Sequence, residues 1–215
     1  MELRLAQVVP DTEAEGPGRR FAVWVQGCSL RCPGCCNPEM FVHGAGGEVV
    51  SAEALARRVL AVPALEGVSF LGGEPFEQAA GLAEVAARVR SAGLSVMVYS
   101  GYTLAELHTR RGVVPGIHEL LAETDVLVDG RYDASKPDRS RRWVGSENQV
   151  VHFLSSRYSA ADERFSQANS VEFRWENGRL TVNGWPAGAD AARPGRRGQS
   201  TDGGVTETAP HSDSQ

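Results

Sequence analysis

No stretch of the 215-residue chain approaches 18 consecutive apolar residues, so it holds no candidate transmembrane helix. Its first residues, Met1-Glu2-Leu3-Arg4, lack the apolar run of a secretory signal. A cytoplasmic location with reduced thiols is therefore expected. Positive charge is also scarce: the net charge of −5 argues against nucleic acid as the main partner. Lys136 is the only lysine, and arginine supplies the other cations. A short basic cluster, Arg139, Arg141 and Arg142, reads as a solvated loop or as a contact for an anionic ligand. No internal repeat is present. Hydrophobic content of 41% and charged content of 23% are ordinary for a globular protein. A chain this long can bury a core without disulfides.

Cysteine is the telling scarcity. All four cysteines fall within nine positions of the stretch VWVQGCSLRCPGCCNPEMF, residues 23–41. The remainder of the chain reads as alternating strands and helices. Apolar runs at 3–9, 21–27, 67–71, 94–100, 125–130 and 148–154 suit strands. Ser51 reads as the N-cap of a helix whose apolar positions Leu55, Val59, Leu60 and Val62 recur near the helical period. An Ala-rich helix over 76–92 and shorter ones over 104–110 and 116–123 follow.

This alternation predicts parallel βαβ units with functional groups at the C-terminal strand ends. The cysteine loop, Gly72-Gly73-Glu74-Pro75, Ser100-Gly101 and Asp129-Gly130 each follow a predicted strand, so they should converge on one face. Further on, VEFRW (171–175) and RLTVNGW (179–185) around Asn177-Gly178 predict a β-hairpin. From Pro186 to Gln215 the composition cannot bury enough surface to order the chain, and disorder is expected.

The cysteine spacing is Cys28-x3-Cys32-x2-Cys35, with Cys36 adjacent. A structural zinc site normally draws four ligands from two short pairs, and no second pair exists. His43 could supply a fourth ligand, although a lone loop histidine is more often solvated. Neighbouring Cys35 and Cys36 would find it hard to face one ion. Three closely spaced thiolates instead suit a [4Fe–4S] cube, each holding one iron and leaving the fourth open.

At these residues the chain resembles the radical S-adenosylmethionine (SAM) superfamily, through C-x3-C-x2-C and the Gly72-Gly73-Glu74-Pro75 motif about 40 residues later. More finely, residues 3–154 resemble the glycyl-radical activating branch, in particular the activating proteins of anaerobic ribonucleoside-triphosphate reductases. That likeness runs through Gly16-Pro17-Gly18-Arg19-Arg20, Trp24-Val25-Gln26-Gly27, Asn37-Pro38, Tyr99-Ser100-Gly101-Tyr102, the 125–130 stretch and Gly145-Ser146-Glu147-Asn148-Gln149.

The resemblance implies a partial (β/α) barrel of parallel strands over 1–155; the small extension with the hairpin over 156–185 and the expected disordered tail over 186–215 depart from the shorter members of that branch. It implies that Cys28, Cys32 and Cys35 ligate the cluster and that SAM binds the open iron. Gly34 and Cys36 would contact SAM, and Gly73 and Glu74 would hold its amino group within the Gly72–Pro75 motif. Ser100 and Asp129 would meet the SAM ribose and carboxylate or a substrate peptide, although Asp129 also reads as a plain turn residue. Asn148 and Gln149 would line the adenine end or satisfy strand-edge backbone groups. Cys36 is expected to be a small packed residue turned away from the cube. No side chain is singled out as catalytic.

The activity implied is reductive cleavage of SAM to a 5′-deoxyadenosyl radical. That radical takes hydrogen from a glycine of a partner enzyme, and a flavodoxin- or ferredoxin-type protein supplies the electron. Modification of a peptide or small metabolite by the same core, and a non-catalytic electron-transfer or zinc module, are the competing readings.

Overall fold

The apolar run RFAVWV forms strand β2 (Arg20–Val25), buried along its whole length. Burial on both faces is what a central strand covered on two sides requires. The computed structural model describes residues 1–176 and 178–184. Beside β2 lie β1 (Glu2–Thr12), β3 (Glu48–Ser51), β4 (Gly67–Gly72), β5 (Ser95–Tyr99), β6 (Val126–Asp129) and β7 (Val150–Phe153). They make one open sheet in the order β3-β1-β2-β4-β5-β6-β7.

Only β2, β4, β5 and β6 run parallel; β1, β3 and β7 pair antiparallel with their neighbours. This corrects the expectation of parallel strands throughout. A parallel return needs a crossover, usually a helix, and neither the turn from β1 to β2 nor the stretch from β6 to β7 contains one. Strand β3, which no apolar run announces, forms the exposed edge beside β1.

Helices α1 (Ala52–Leu60), α2 (Ala79–Ser91), α3 (Leu104–Arg110) and α4 (Ile117–Glu123) supply the alternation. Ser51 caps α1 by accepting from the Ala54 amide, as its sequence position foretells. Thr103 and Glu106 form a reciprocal capping box on α3. The start expected for α2 is instead a short 3-10 turn, Pro75–Gln78.

One face of the sheet, carrying Phe21, Val23, Val25, Val68, Phe70, Val96 and Val98, packs on Leu55, Val59, Leu82, Val85, Leu107 and Leu120 of the helices. Each such side chain contributes roughly 1.5–3 kcal/mol by leaving water. On the opposite face Met97, Val126 and Val128 meet Trp143, Val144, Tyr158 and Phe165 from the 131–170 segment. There Trp143 and Phe153 each set an edge against the Phe165 ring. A separate group, Val9, Ala22, Trp24, Met40 and Leu71, lies on this second face beside the cysteine loop.

At the N-terminal ends of the parallel strands the Arg20 side chain is fully buried. It donates to Ser69 Oγ, Ser95 Oγ and the carbonyls of Pro17 and Val68. The C-terminal hairpin expected from sequence is present as β8 (Val171–Glu176) and β9 (Arg179–Gly184), turning through Gly178 at φ +76°. Asn177, Trp185 and the 186–215 tail, expected to be a turn residue, a strand end and disordered, lie outside the described residues. Among the described residues no helix is long and apolar enough to cross a membrane.

Candidate metal centre

Because β2, β4, β5 and β6 are parallel neighbours, the loops that follow them share one edge of the sheet. Backbone hydrogen bonds join these loops. Gly73 N donates to Val25 O and Glu74 N donates to Gly27 O, each at 2.8 Å, which staples the Gly-Gly-Glu-Pro turn to the base of the cysteine loop. A Cβ on Gly73 would lie 2.2 Å from Gly27 O, so only glycine permits this approach. Gly72, at φ +102°, would likewise strike the Trp24 backbone. The two glycines thus have a structural reason apart from any ligand.

Further contacts hold the cysteine loop. Gly27 N donates to Met40 O at 2.8 Å, and Gln26 Nε2 donates to the carbonyls of Glu39 and Val42. Ser29 N donates to Glu77 Oε1 at 3.0 Å, and the same carboxylate lies 2.7 Å from His43 Nε2. Glu77 went unread in the sequence, although its place three residues past Glu74 in the same turn could have marked it. His43 is exposed and bound to Glu77, in keeping with its solvated reading.

The three spaced cysteines receive backbone amides at their sulfurs. Asn37 N reaches Cys35 Sγ at 3.4 Å, the Leu30 and Arg31 amides favour the Cys28 thiolate, and the Tyr132 amide favours that of Cys32. Burial nonetheless holds the Cys28 and Cys32 thiols above the ordinary range. The Cys35 pKa falls to about 7, chiefly because the Cys36 thiol hydrogen-bonds to it. Cys36 itself is pushed up by the same bond. Cys36 is exposed, so the packed position expected for it is corrected: it lies on an open loop, with its thiol on the Cys35 sulfur.

Among the described residues no three His, Cys, Asp or Glu side chains gather closely enough to share one metal ion. Thiolates that each hold a different iron of a cube stand farther apart than ligands of a single ion. Three thiols, amide donors at their sulfurs and a Gly- and Pro-containing loop fit an iron–sulfur cluster, whose ligands are thiolates tuned by such hydrogen bonds.

Glu74 is 1% exposed and Ser100 4%. The Glu74 carboxylate accepts from Phe76 N and Ser100 Oγ on Oε1 and from Gly101 N on Oε2, at 2.8–2.9 Å. Burial raises its pKa to about 7 despite these donors. Asp129, also buried, accepts from Leu104 N at the start of α3. His152 Nε2 stands 2.9 Å from Asp129 Oδ2 but off the hydrogen-bonding direction. Gly34 packs against Ala134, so the loop reaches the segment after β6.

Asn148 and Gln149 satisfy backbone groups: Asn148 donates to Arg131 O, and Gln149 bridges Gly130 O to the amides of Gly145 and Ser146. In the basic run, Arg141 is no solvated cation. It pairs with Asp138 at 2.6 Å and donates to the Gln149 and Glu147 carbonyls, tying the 138–149 loop together.

A family model described as a 4Fe-4S single cluster domain matches residues 14–152. The chain belongs to this family of [4Fe–4S] proteins. It is 32% identical over 162 residues to the anaerobic ribonucleoside-triphosphate reductase-activating protein of Escherichia coli (strain K12), covering 69% of this chain and 97% of that protein. The Vibrio cholerae protein of the same name is 30% identical over 157 residues, covering 68% and 95%. A putative glycyl-radical enzyme activating enzyme of Haemophilus influenzae is 36% identical over 93 residues, covering 42% and 36%. Within the radical SAM superfamily, this chain is a member of the activating-protein branch, and its cofactors are a [4Fe–4S] cluster and SAM.

Proposed function

We propose that this protein is a glycyl-radical activase acting on an anaerobic ribonucleotide reductase. The observation that carries the reading is the stapling of Gly73 and Glu74 to Val25 and Gly27 at the base of the cysteine loop, in a chain that spans nearly the whole length of activating-protein relatives. Cys28, Cys32 and Cys35 would hold the cluster, with the Leu30, Arg31, Tyr132 and Asn37 amides favouring their thiolate forms. Gly34 and Cys36 would contact SAM. Glu74, whose carboxylate receives three donors and has about four acceptor positions, would hold the SAM amino group together with the Gly72 and Gly73 carbonyls. Pro75 starts the turn that fixes this carboxylate. Ser100 orients Glu74, and Asp129 pins the start of α3 at the same edge. The core of residues 1–155 curls as a partial barrel with this edge as its mouth, and the extension follows it.

A [4Fe–4S] cluster on Cys28, Cys32 and Cys35 would supply the electron for reductive cleavage of SAM, the chemistry by which a hydrogen atom would be drawn from the partner's glycine. These side chains would orient the ligands and keep the glycine against the reacting carbon, where alignment supplies much of the rate. A flavodoxin- or ferredoxin-type protein of the cytoplasm delivers the electron. Anaerobic incubation with the reductase, SAM and a reductant should give a glycyl-radical signal by electron paramagnetic resonance. Formation of 5′-deoxyadenosine without that signal would overturn the choice of substrate.

A further inference from the structure

The hairpin β8–β9 is amphipathic in the inverted sense: its polar face is buried and its apolar face is exposed. Toward the protein, Glu172 accepts from Glu13 N at 2.8 Å, Asn183 donates to Thr12 Oγ1 at 2.8 Å, and Gly184 N donates to Glu15 Oε1 at 2.6 Å. Arg174 donates to Asp11 O from the same side. Facing away, Phe173 pairs across the ladder with Val182, and Trp175 pairs with Leu180. Cross-strand partners share a face, so these four side chains form one patch. Phe173, Trp175 and Leu180 are 70%, 71% and 52% exposed. Isolated hairpins are marginal in water, and an uncovered aromatic pair on one is a recognition feature.

Several observations narrow what covers it. After Trp185 the sequence holds only Val205 and three prolines as apolar residues larger than alanine, so that tail offers little to cover the patch. Two aromatics and a leucine at these exposures offer on the order of 400 Å², about half of what each side of a stable interface buries. A second copy held by this patch alone would therefore not persist. The patch suits a partner that is also gripped elsewhere. Its base is bound to Glu15, whose carbonyl accepts from Tyr99 and Ser69, and Tyr99 packs on the Trp24–Met40 group beside the cysteine loop. The hairpin thus rises from the same face of the sheet as the cysteine loop. It also lies outside residues 14–152, the stretch matched by the cluster-domain family.

We propose that the Phe173–Trp175–Leu180–Val182 face is a docking surface for the protein substrate of the adjacent site, a folded enzyme carrying an apolar surface patch beside its glycine-bearing loop. The inference rests on the activase reading and adds where the substrate enzyme is held outside the reaction cleft.

Phe173→Thr and Trp175→Thr, singly and together, remove the apolar surface while keeping strand preference. With the reductase as substrate, the double variant should raise KM by roughly 10- to 100-fold, the loss typical of central aromatic anchors, with kcat largely kept. Cluster content and 5′-deoxyadenosine formation without reductase should match the parent protein. A short peptide carrying the reductase glycine should be used equally by both proteins. An unchanged KM for the intact reductase, alongside full activation by the parent, overturns the docking surface and leaves the activase reading standing. A parent protein that yields no glycyl radical on the reductase overturns both. A parent dimer in sedimentation that the double variant abolishes assigns the patch to a second copy instead, and likewise overturns the proposal.

Discussion

Ser100 Oγ donates to Glu74 Oε1 at 2.9 Å, joining the ends of β4 and β5 through a carboxylate buried from water. With the Phe76 and Gly101 amides also directed at it, Glu74 is the hub of this edge. Glu74→Gln preserves the shape but turns an amide NH₂ toward one of these donors. One buried N–H or O–H then lacks an acceptor, at a cost of about 1–3 kcal/mol. Thermal melting should fall by roughly 3–10 °C, and the Kd for SAM, measured by equilibrium binding to reconstituted protein, should rise. An unaltered Tm would show that the hub does not stabilise the edge.

The two acids raised most in this region predict a pH dependence. Glu74 and Glu15 both reach about 7, each mainly through burial. An acid whose folded pKa lies above its unfolded value binds more protons when folded. Its contribution is complete below about 4.5 and is lost as pH rises through about 7. Stability of the cluster-free protein should therefore fall between those limits. Glu15→Gln keeps an acceptor for the Gly184 amide but cannot ionise, so urea titrations across that window should show a shallower decline. An identical slope in the variant would exclude Glu15 as a source.

Arg20 lies at the opposite end of the parallel strands from the cysteines. Among the described residues no carboxylate pairs with it, and its donors go to hydroxyls and carbonyls of Pro17, Val68, Ser69 and Ser95. Arg20→Leu leaves several of these buried groups unpartnered, which should cost about 3 kcal/mol or more. Denaturant unfolding should register that loss. Iron bound per folded molecule should not change, because the network is remote from the loop. Equal loss of cluster and fold would place Arg20 in the site after all.

These cases mark what a reader of the chain could and could not see. The β2, β4, β5 and β6 runs were legible because strands buried on both faces are apolar throughout, and Ser51 was legible as a cap because capping is local. Strand direction at β1 and β7 was not, since it depends on connections rather than on side chains. β3 was missed because its four residues, Glu48 to Ser51, are mostly exposed and lack an apolar run. The motif residues Cys28, Cys32, Cys35, Gly73 and Glu74 stand out through spacing. Glu77, Arg20 and Arg141 do not, because their roles come from partners that only folding brings near. Ser29, for instance, is 48 residues from Glu77.

The four cysteines should separate under mutation. Cys28→Ala, Cys32→Ala and Cys35→Ala each remove one thiolate from a three-ligand set, and each should abolish stable cluster binding, measured as iron and sulfide per chain. Cys36→Ala should retain the cluster, because its thiol acts on Cys35 rather than on iron. It removes the hydrogen bond that brings Cys35 to about 7. The remaining causes, burial above all, then raise that thiol. A thiol with a higher pKa offers less thiolate at neutral pH, and metal binding requires the thiolate. Anaerobic reconstitution of Cys36→Ala should therefore be slower than wild type at pH 7 and recover toward it at pH 9. A variant that reconstitutes at the wild-type rate at pH 7 would remove Cys36 from the chemistry of the loop, and one that holds no cluster would make it a ligand.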